Sequence, residues 1–214
     1  MFLSEQEYQH VLDLMEGRIV PGPLLKELAE WTGERFGVKV YDYICDQTTN
    51  GLTRLRVVVW DREVHDVFMD AGNYNKSIQM QFQEEFAFLA RKYMVHPEYY
   101  DAEKIFVCWE TVKDQIVSKE LWLSRMEFFN LKLSRNDIWK IEIIFQSVHV
   151  FYETDDQVET HASDGVSEGL RRQISDIMRS ADRYGVFKDG VSCVFTSHQT
   201  LNEKYRGSMF YYTR

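Results

Sequence analysis

Four carboxylates, Glu153, Asp155, Asp156 and Glu159, follow the strand-like run VHVFY (148–152), and His149 and His161 stand at either end of the group. Residues of these types in one short segment suit three kinds of chemistry. Carboxylate oxygens converging on one point hold Mg²⁺ or Ca²⁺. A carboxylate beside an imidazole works as an acid–base pair. Acids between a strand and a helix can also be solvated ends that meet the positive end of the helix macrodipole. The order E-x-D-D-x-x-E lacks the alternating ligands and the fixed glycine of an EF-hand loop. His149 alternates with Val148 and Val150, so it faces away from whatever those two bury. A second acidic set, Asp61, Glu63 and Asp66 with His65, follows VVVW (57–60) in the first half of the chain. Solvated strand ends are the plainest account of both sets. If the two share an edge, the seven acids form a rim suited to a basic partner.

Other chemistries find less support. Cys193 precedes His198 by five residues, with Asp189 nearby, but a nucleophile needs its base within hydrogen-bond reach. A cysteine inside a strand is expected to be a buried structural thiol, and neither a G-x-S-x-G elbow nor a papain-like cysteine signature is present. There is no G-x-x-x-x-G-K-[ST] loop and no G-x-G-x-x-G after a strand. Gly165 and Gly169 enclose acidic neighbours that suit an anion poorly. Arg172, Arg179 and Arg183, with Arg171 beside them, put positive charge on one helix face and are expected to pair with acidic segments across the molecule. Twelve Tyr, 14 Phe and 5 Trp are enough both to cover a thin sheet and to edge a binding surface at EYY (98–100) and YYT (211–213).

The whole chain narrows these options. A formal charge of −9 over 214 residues repels phosphate backbones, so nucleic acid is not an expected partner, whereas a basic protein is. Cys45, Cys108 and Cys193 are odd in number and widely spaced, which fits reduced thiols rather than a disulfide framework or a zinc site. No run approaches the length of a membrane span, and MFLSEQEYQH has no secretory character, so a cytoplasmic protein with no membrane partner is expected.

The elements that must position these residues follow from periodicity. Ser4 and Glu7 open a helix, Pro23 allows a second, and Gly37 ends it. VKVYDYIC (38–45) and LTRLRVVVW (52–60) form a hairpin around Asn50-Gly51. SIQMQFQ (77–83) alternates like a strand, but Ile78, Phe82, Phe86, Leu89 and Tyr93 favour a helix over 76–95. IFVCW (105–109) is a strand and 111–129 a helix; 134–147 reads as a helix from Ser134. VHVFY is a strand, followed by a polar segment, a helix through Val166, Leu170, Ile174 and Ile177, a strand VSCVF (191–195), a helix capped by Ser197, and a final strand SMFYYT (208–213).

The order strand, acidic turn, long helix, strand, capped helix occurs twice. We expect an α+β fold, a mixed sheet covered by helices, in one compact domain over 1–214. An internal duplication of 38–130 and 134–214 would relate two strand–helix–strand halves by a pseudo-twofold. The functional expectation is a non-catalytic protein-binding module of inhibitor or immunity type, masking a basic partner through an acidic, aromatic-edged surface and needing no cofactor. The alternative is a divalent-metal hydrolase using the acids near Glu153 and Asp61. Self-association by addition of the C-terminal strand to a neighbour's sheet is a third route.

Overall fold

Ser4 and Glu7 close their capping box, and helix α1 (Glu5–Met15) runs from it, burying Tyr8, Val11 and Leu12. The computed structural model describes residues 3–214. The fold is α+β, and the chain divides into two units, Met1–Gln115 and Ile116–Arg214. Helix α2 (Pro23–Phe36) starts on Pro23 and stops at Gly37, which takes the left-handed conformation at φ 67°. Strands β1 (Asp42–Gln47) and β2 (Thr53–Val59) pair antiparallel around the Asn50-Gly51 turn. A short helix α3 (Arg62–Asp66), a small hairpin of β3 (Met69–Asp70) and β4 (Asn73–Tyr74), and the long helix α4 (Lys76–Lys92) lead to β5 (Ile105–Thr111). Strand β5 lies parallel to β2, giving the order β1-β2-β5.

One face of this sheet builds the core of the first unit. Leu55, Val57 and Val59 of β2 and Ile105, Val107 and Trp109 of β5 pack with Phe82, Phe86 and Leu89 of α4 and Leu24, Leu25 and Leu28 of α2. Residues 77–83 are helical as expected, and their strand-like alternation has a cause. The side-chain amides of Gln79 and Gln83, one helical turn apart, donate to the carbonyls of Val107 and Ile105 on β5, so they satisfy backbone acceptors of that strand. The opposite face of β2 is buried too, but it is charged. Arg56 is 5% exposed and bonds the carboxylate of Glu7 from α1, with Asp46 at 3.4 Å.

The unit boundary falls within α5 (Lys113–Leu123), which is followed by α6 (Arg125–Leu133). The second unit pairs β6 (Ile138–Ile144) antiparallel with β7 (Ser147–Tyr152). Helices α7 (Asp155–Ser163) and α8 (Val166–Ala181) lead to β8 (Cys193–Ser197), parallel to β7. Helices α9 (His198–Tyr205) and α10 (Met209–Tyr212) complete the chain. The order β6-β7-β8 has the same sense of pairing as β1-β2-β5. Val148, Val150 and Tyr152 pack with Leu170, Ile174 and Met178 of α8 and Cys193 of β8.

Three expectations for local structure are corrected. Residues 138–144 form a strand rather than part of a helix, and Ser134 caps the C-terminus of α6 instead of starting anything. The β-branched isoleucines win because β7 is one two-residue turn away, and that turn carries Phe145 at φ 55° in place of a glycine signal. The expected 111–129 helix is two helices meeting at Ser124. The C-terminal SMFYYT is not a strand: the amides of Tyr211 and Tyr212 both turn back to the Ser208 carbonyl, and α10 lays Tyr212 against Phe151 and His149. Strand addition by this segment therefore loses its structural premise.

Candidate functional site

Both acidic sets sit where the sequence places them, at the carboxyl ends of parallel strand pairs, the position where α/β sheets commonly receive ligands. In the first unit the pairing of β2 with β5 continues past the strands, from the Val112 amide to the Val59 carbonyl (3.1 Å) and from the Lys113 amide to the Trp60 carbonyl (2.9 Å). Asp61 caps α3 by accepting from the Val64 amide, and it also pairs with Lys113 at 3.2 Å. Both contacts hold the turn that follows β2. Glu63, in the first turn of α3, is exposed. Asp66, at the end of α3, has its carboxylate 3.5 Å from Nδ1 of His65.

Beyond that strand end lies a crevice of about 490 Å³. Asp66, Glu110 and Asp114 bring carboxylates to its lining, Arg62 and His65 add basic groups, and Met69, Gly72, Trp109 and Thr111 complete it. Local geometry explains the shape. Ala71 and Gly72 both take positive φ, 47° and 82°, which is the backbone a two-residue hairpin requires, and the turn holds Gly72 and Met69 at the rim. Trp109 is 2% exposed, with Phe68 stacked on it at 4.6 Å and Tyr74 at 5.3 Å. Its indole nitrogen is buried without a hydrogen-bond partner. The His65 ring stands 6.0 Å from Tyr74, so the acidic wall has an aromatic edge. A larger cavity of about 590 Å³ in the same unit is mainly apolar, lined by residues such as Leu14, Leu25, Ala29 and Val38, and it brings no comparable set of carboxylates together.

The corresponding strand end of the second unit is tied shut by its own hydrogen bonds. Asp155 accepts from the hydroxyls of Ser197 and Thr200, and these bonds hold its carboxyl below the usual carboxylate range. The Asp155 amide donates to the side chain of Gln199, and the Gln199 amide donates to the Glu153 carbonyl. The Glu153 carboxylate lies 3.8 Å from His198, whose ring stacks on Trp139 at 4.0 Å. Asp156 and Glu159 project from α7 into solvent. The segment after VHVFY is thus a helix with a Thr154–Gln157 capping box, with Asp155 and Asp156 in its first turn.

The histidines are equally accounted for. His149 faces away from Val148 and Val150, as its alternation requires, and shares a hydrogen bond of 2.8 Å with the Tyr212 hydroxyl; burial lowers its pKa. His161 lies 3.3 Å from Asp137 and 3.2 Å from Asp164. Cys193 faces the core, where burial pushes its thiol up to about 11, while His198 lies against Trp139 on the other side of the sheet. That geometry leaves no Cys–His pair. Among the described residues no group of three or more His, Cys, Asp or Glu side chains could hold a metal ion. Arg171 and Arg172 pair with Glu168, and Arg179 with Asp176, within α8 rather than across the molecule.

Two features escaped the sequence reading. The buried Arg56 pairs with Glu7, 49 residues away, and no local pattern announces that contact. The Trp109–Phe68 stack that backs the crevice joins a strand to a loop. Comparison with known proteins adds no assignment: no protein-family model matches the chain, and no curated protein or solved structure resembles it significantly.

Proposed function

We propose that the protein is a non-catalytic binding module that captures a basic protein partner through the acidic, aromatic-edged crevice of its first unit. The observation that carries this reading is the crevice itself: Asp66, Glu110 and Asp114 beside the Trp109 wall, in about 490 Å³ at the end of β5. A lysine or arginine side chain from the partner fits its chemistry, because the carboxylates attract the charge and the aromatic edge accepts the alkyl stem. Complementary charge also steers encounter and rejects acidic competitors. An inhibitor or immunity role, in which a basic site on the partner is masked, is the form of this reading that the charge of −9 favours. A cytoplasmic setting accompanies it, supported by three free cysteines and by the absence, among the described residues, of any helix long and apolar enough to cross a membrane. The matching strand orders of the two sheets support descent from an internal duplication.

The test is a titration with hexa-arginine and hexa-glutamate peptides, followed by amide NMR shifts. The expected result is shifts confined to residues 62–74 and 109–114 with hexa-arginine, weakening as salt rises. No shifts, or shifts spread over the whole surface and unchanged in an Asp66→Asn/Asp114→Asn double variant, would remove the reading.

A further inference from the structure

Five of the large apolar side chains exposed in the second unit, Trp122, Leu123, Met126, Phe129 and Leu133, lie on α5 and α6. Met126, Phe129 and Leu133 of α6 recur three and four residues apart, so their side chains form one stripe on that helix, and Trp122, across the break at Ser124, extends it beside Arg125; the four are 53–60% exposed. Leu123, 65% exposed, stands beside it. The other side of the same helices is already seated in the core through Leu121 and Phe128. More than half of each of these side chains is therefore left outside the packing of the unit, and monomers more often scatter such residues singly.

That spacing is the seam of a two-helix pair, in which residues alternate three and four apart along the line of contact. The size is sufficient. Side chains of these types present roughly 200 Å² each when free. The five residues at 53–65% exposure then offer roughly 600 Å² per copy and about 1,200 Å² per pair, at the lower end of specific interfaces.

The flanks say which arrangement fits. Arg125 and Lys132 lie along one side of the stripe, and Leu123 and Asn130 along the other. An antiparallel pair would bring Arg125 of one copy beside Lys132 of the second. A parallel pair, with the twofold axis running along the helices, sets the cationic flank of each copy against the neutral flank of the other. Arg125 already lies over the Trp122 ring at 4.7 Å and bonds the Trp122 carbonyl, so its stem widens the apolar surface. We propose that this face is the interface of a parallel, twofold homodimer of the chain. The inference is independent of the crevice and of what the crevice binds.

Mass measured by sedimentation equilibrium from low micromolar to a few hundred micromolar protein tests it. The expected result is a shift from one chain to two, favoured by added salt, because each copy carries a formal charge of −9. Phe129→Glu should hold the protein monomeric with an unchanged circular dichroism spectrum, since the side chain is exposed. Phe129→Cys should form a dimer-spanning disulfide on mild oxidation, because a parallel twofold sets residue 129 against itself; the unsubstituted chain is the control. A single-chain mass at every concentration overturns the proposal, as does a dimer that survives Phe129→Glu. Co-sedimentation with phosphatidylserine vesicles that is abolished by Phe129→Glu, without dimer formation, assigns the face to a membrane and likewise overturns it.

Discussion

The carboxyl ends of the two parallel strand pairs share a strand order and an acidic sequence, and they do different things with them. In the second unit Asp155 is drawn inward by Ser197 and Thr200, and Gln199 closes the backbone over it. In the first unit Asp61 takes the capping role, while Asp66 is left to line a crevice with Glu110 and Asp114. The outer faces of the sheets differ as well. The first carries buried charge, with Arg56 against Glu7 and Asp42 only 4% exposed. The second carries rings, with Trp139, His149, Phe151 and Tyr212 in mutual contact. One strand end ties Asp155 to the hydroxyls of the next helix, and the other leaves Asp66 on the wall of a crevice. Residue type at the strand end does not decide which; the hydroxyl partners on the following helix do.

The largest test removes the wall of the open end. Phe68 is fully buried and stacked on Trp109, so Phe68→Ala should cost about 3–5 kcal/mol of unfolding free energy in urea titration. It should also abolish the hexa-arginine shifts. If those shifts persist at full size, the crevice does not depend on its aromatic edge.

Next is the clasp of the closed end. Ser197 is fully buried, accepts from the Thr200 amide as the cap of α9, and donates to Asp155. Ser197→Ala should destabilise by about 1–2 kcal/mol, the range for loss of a helix cap. An unchanged urea midpoint would mean that the two strand ends are equally loose, and the contrast between them would fail. The clasp also has a pH signature. Asp155 is held below its ordinary value, so its contribution is present above the unfolded carboxylate pKa and is lost as pH falls through the folded one.

The buried charge of the first sheet has the opposite sign. Burial raises Asp42 to about 6, so the folded state holds a proton that the unfolded chain releases nearer pH 4, and stability falls as pH rises through that window. Asp42→Asn should therefore stabilise the protein by on the order of 1–2 kcal/mol at pH 7, a gain that vanishes below about pH 4. A pH-independent difference between variant and parent would show that Asp42 is not the titrating group.

These contrasts also mark how far the sequence could be read. Capping boxes, the Asn50-Gly51 turn and the long helices were legible because their causes lie within a few residues. The stretch 134–147 was not, because Phe145 makes a two-residue turn with none of the usual turn residues and the strand is fixed by a partner that only the fold supplies. The C-terminal rings suggested a strand by composition, yet they turn because contacts with Phe151 and His149 outweigh local preference. All seven acids were identifiable as polar strand ends. That Asp61 becomes a cap and Asp155 a clasp, while Asp66 lines a crevice and the rest face solvent, depends on Lys113, Ser197 and Thr200, partners about 40–50 residues distant.

The smallest expected change in stability is at the residue that matters most to the functional reading. The Asp66 carboxylate is exposed and lies 3.5 Å from the neighbouring His65 ring, so Asp66→Asn should move the unfolding free energy by less than about 0.5 kcal/mol. If the open strand end serves recognition, the same substitution should weaken hexa-arginine binding several-fold at low salt and have less effect at high salt, where screening already weakens the attraction. Asp155→Asn should do the reverse, lowering the urea midpoint and leaving the peptide untouched. Were both substitutions to act on stability alone, the two acidic turns would be equivalent pieces of scaffold, and recognition would have to be sought away from the strand ends.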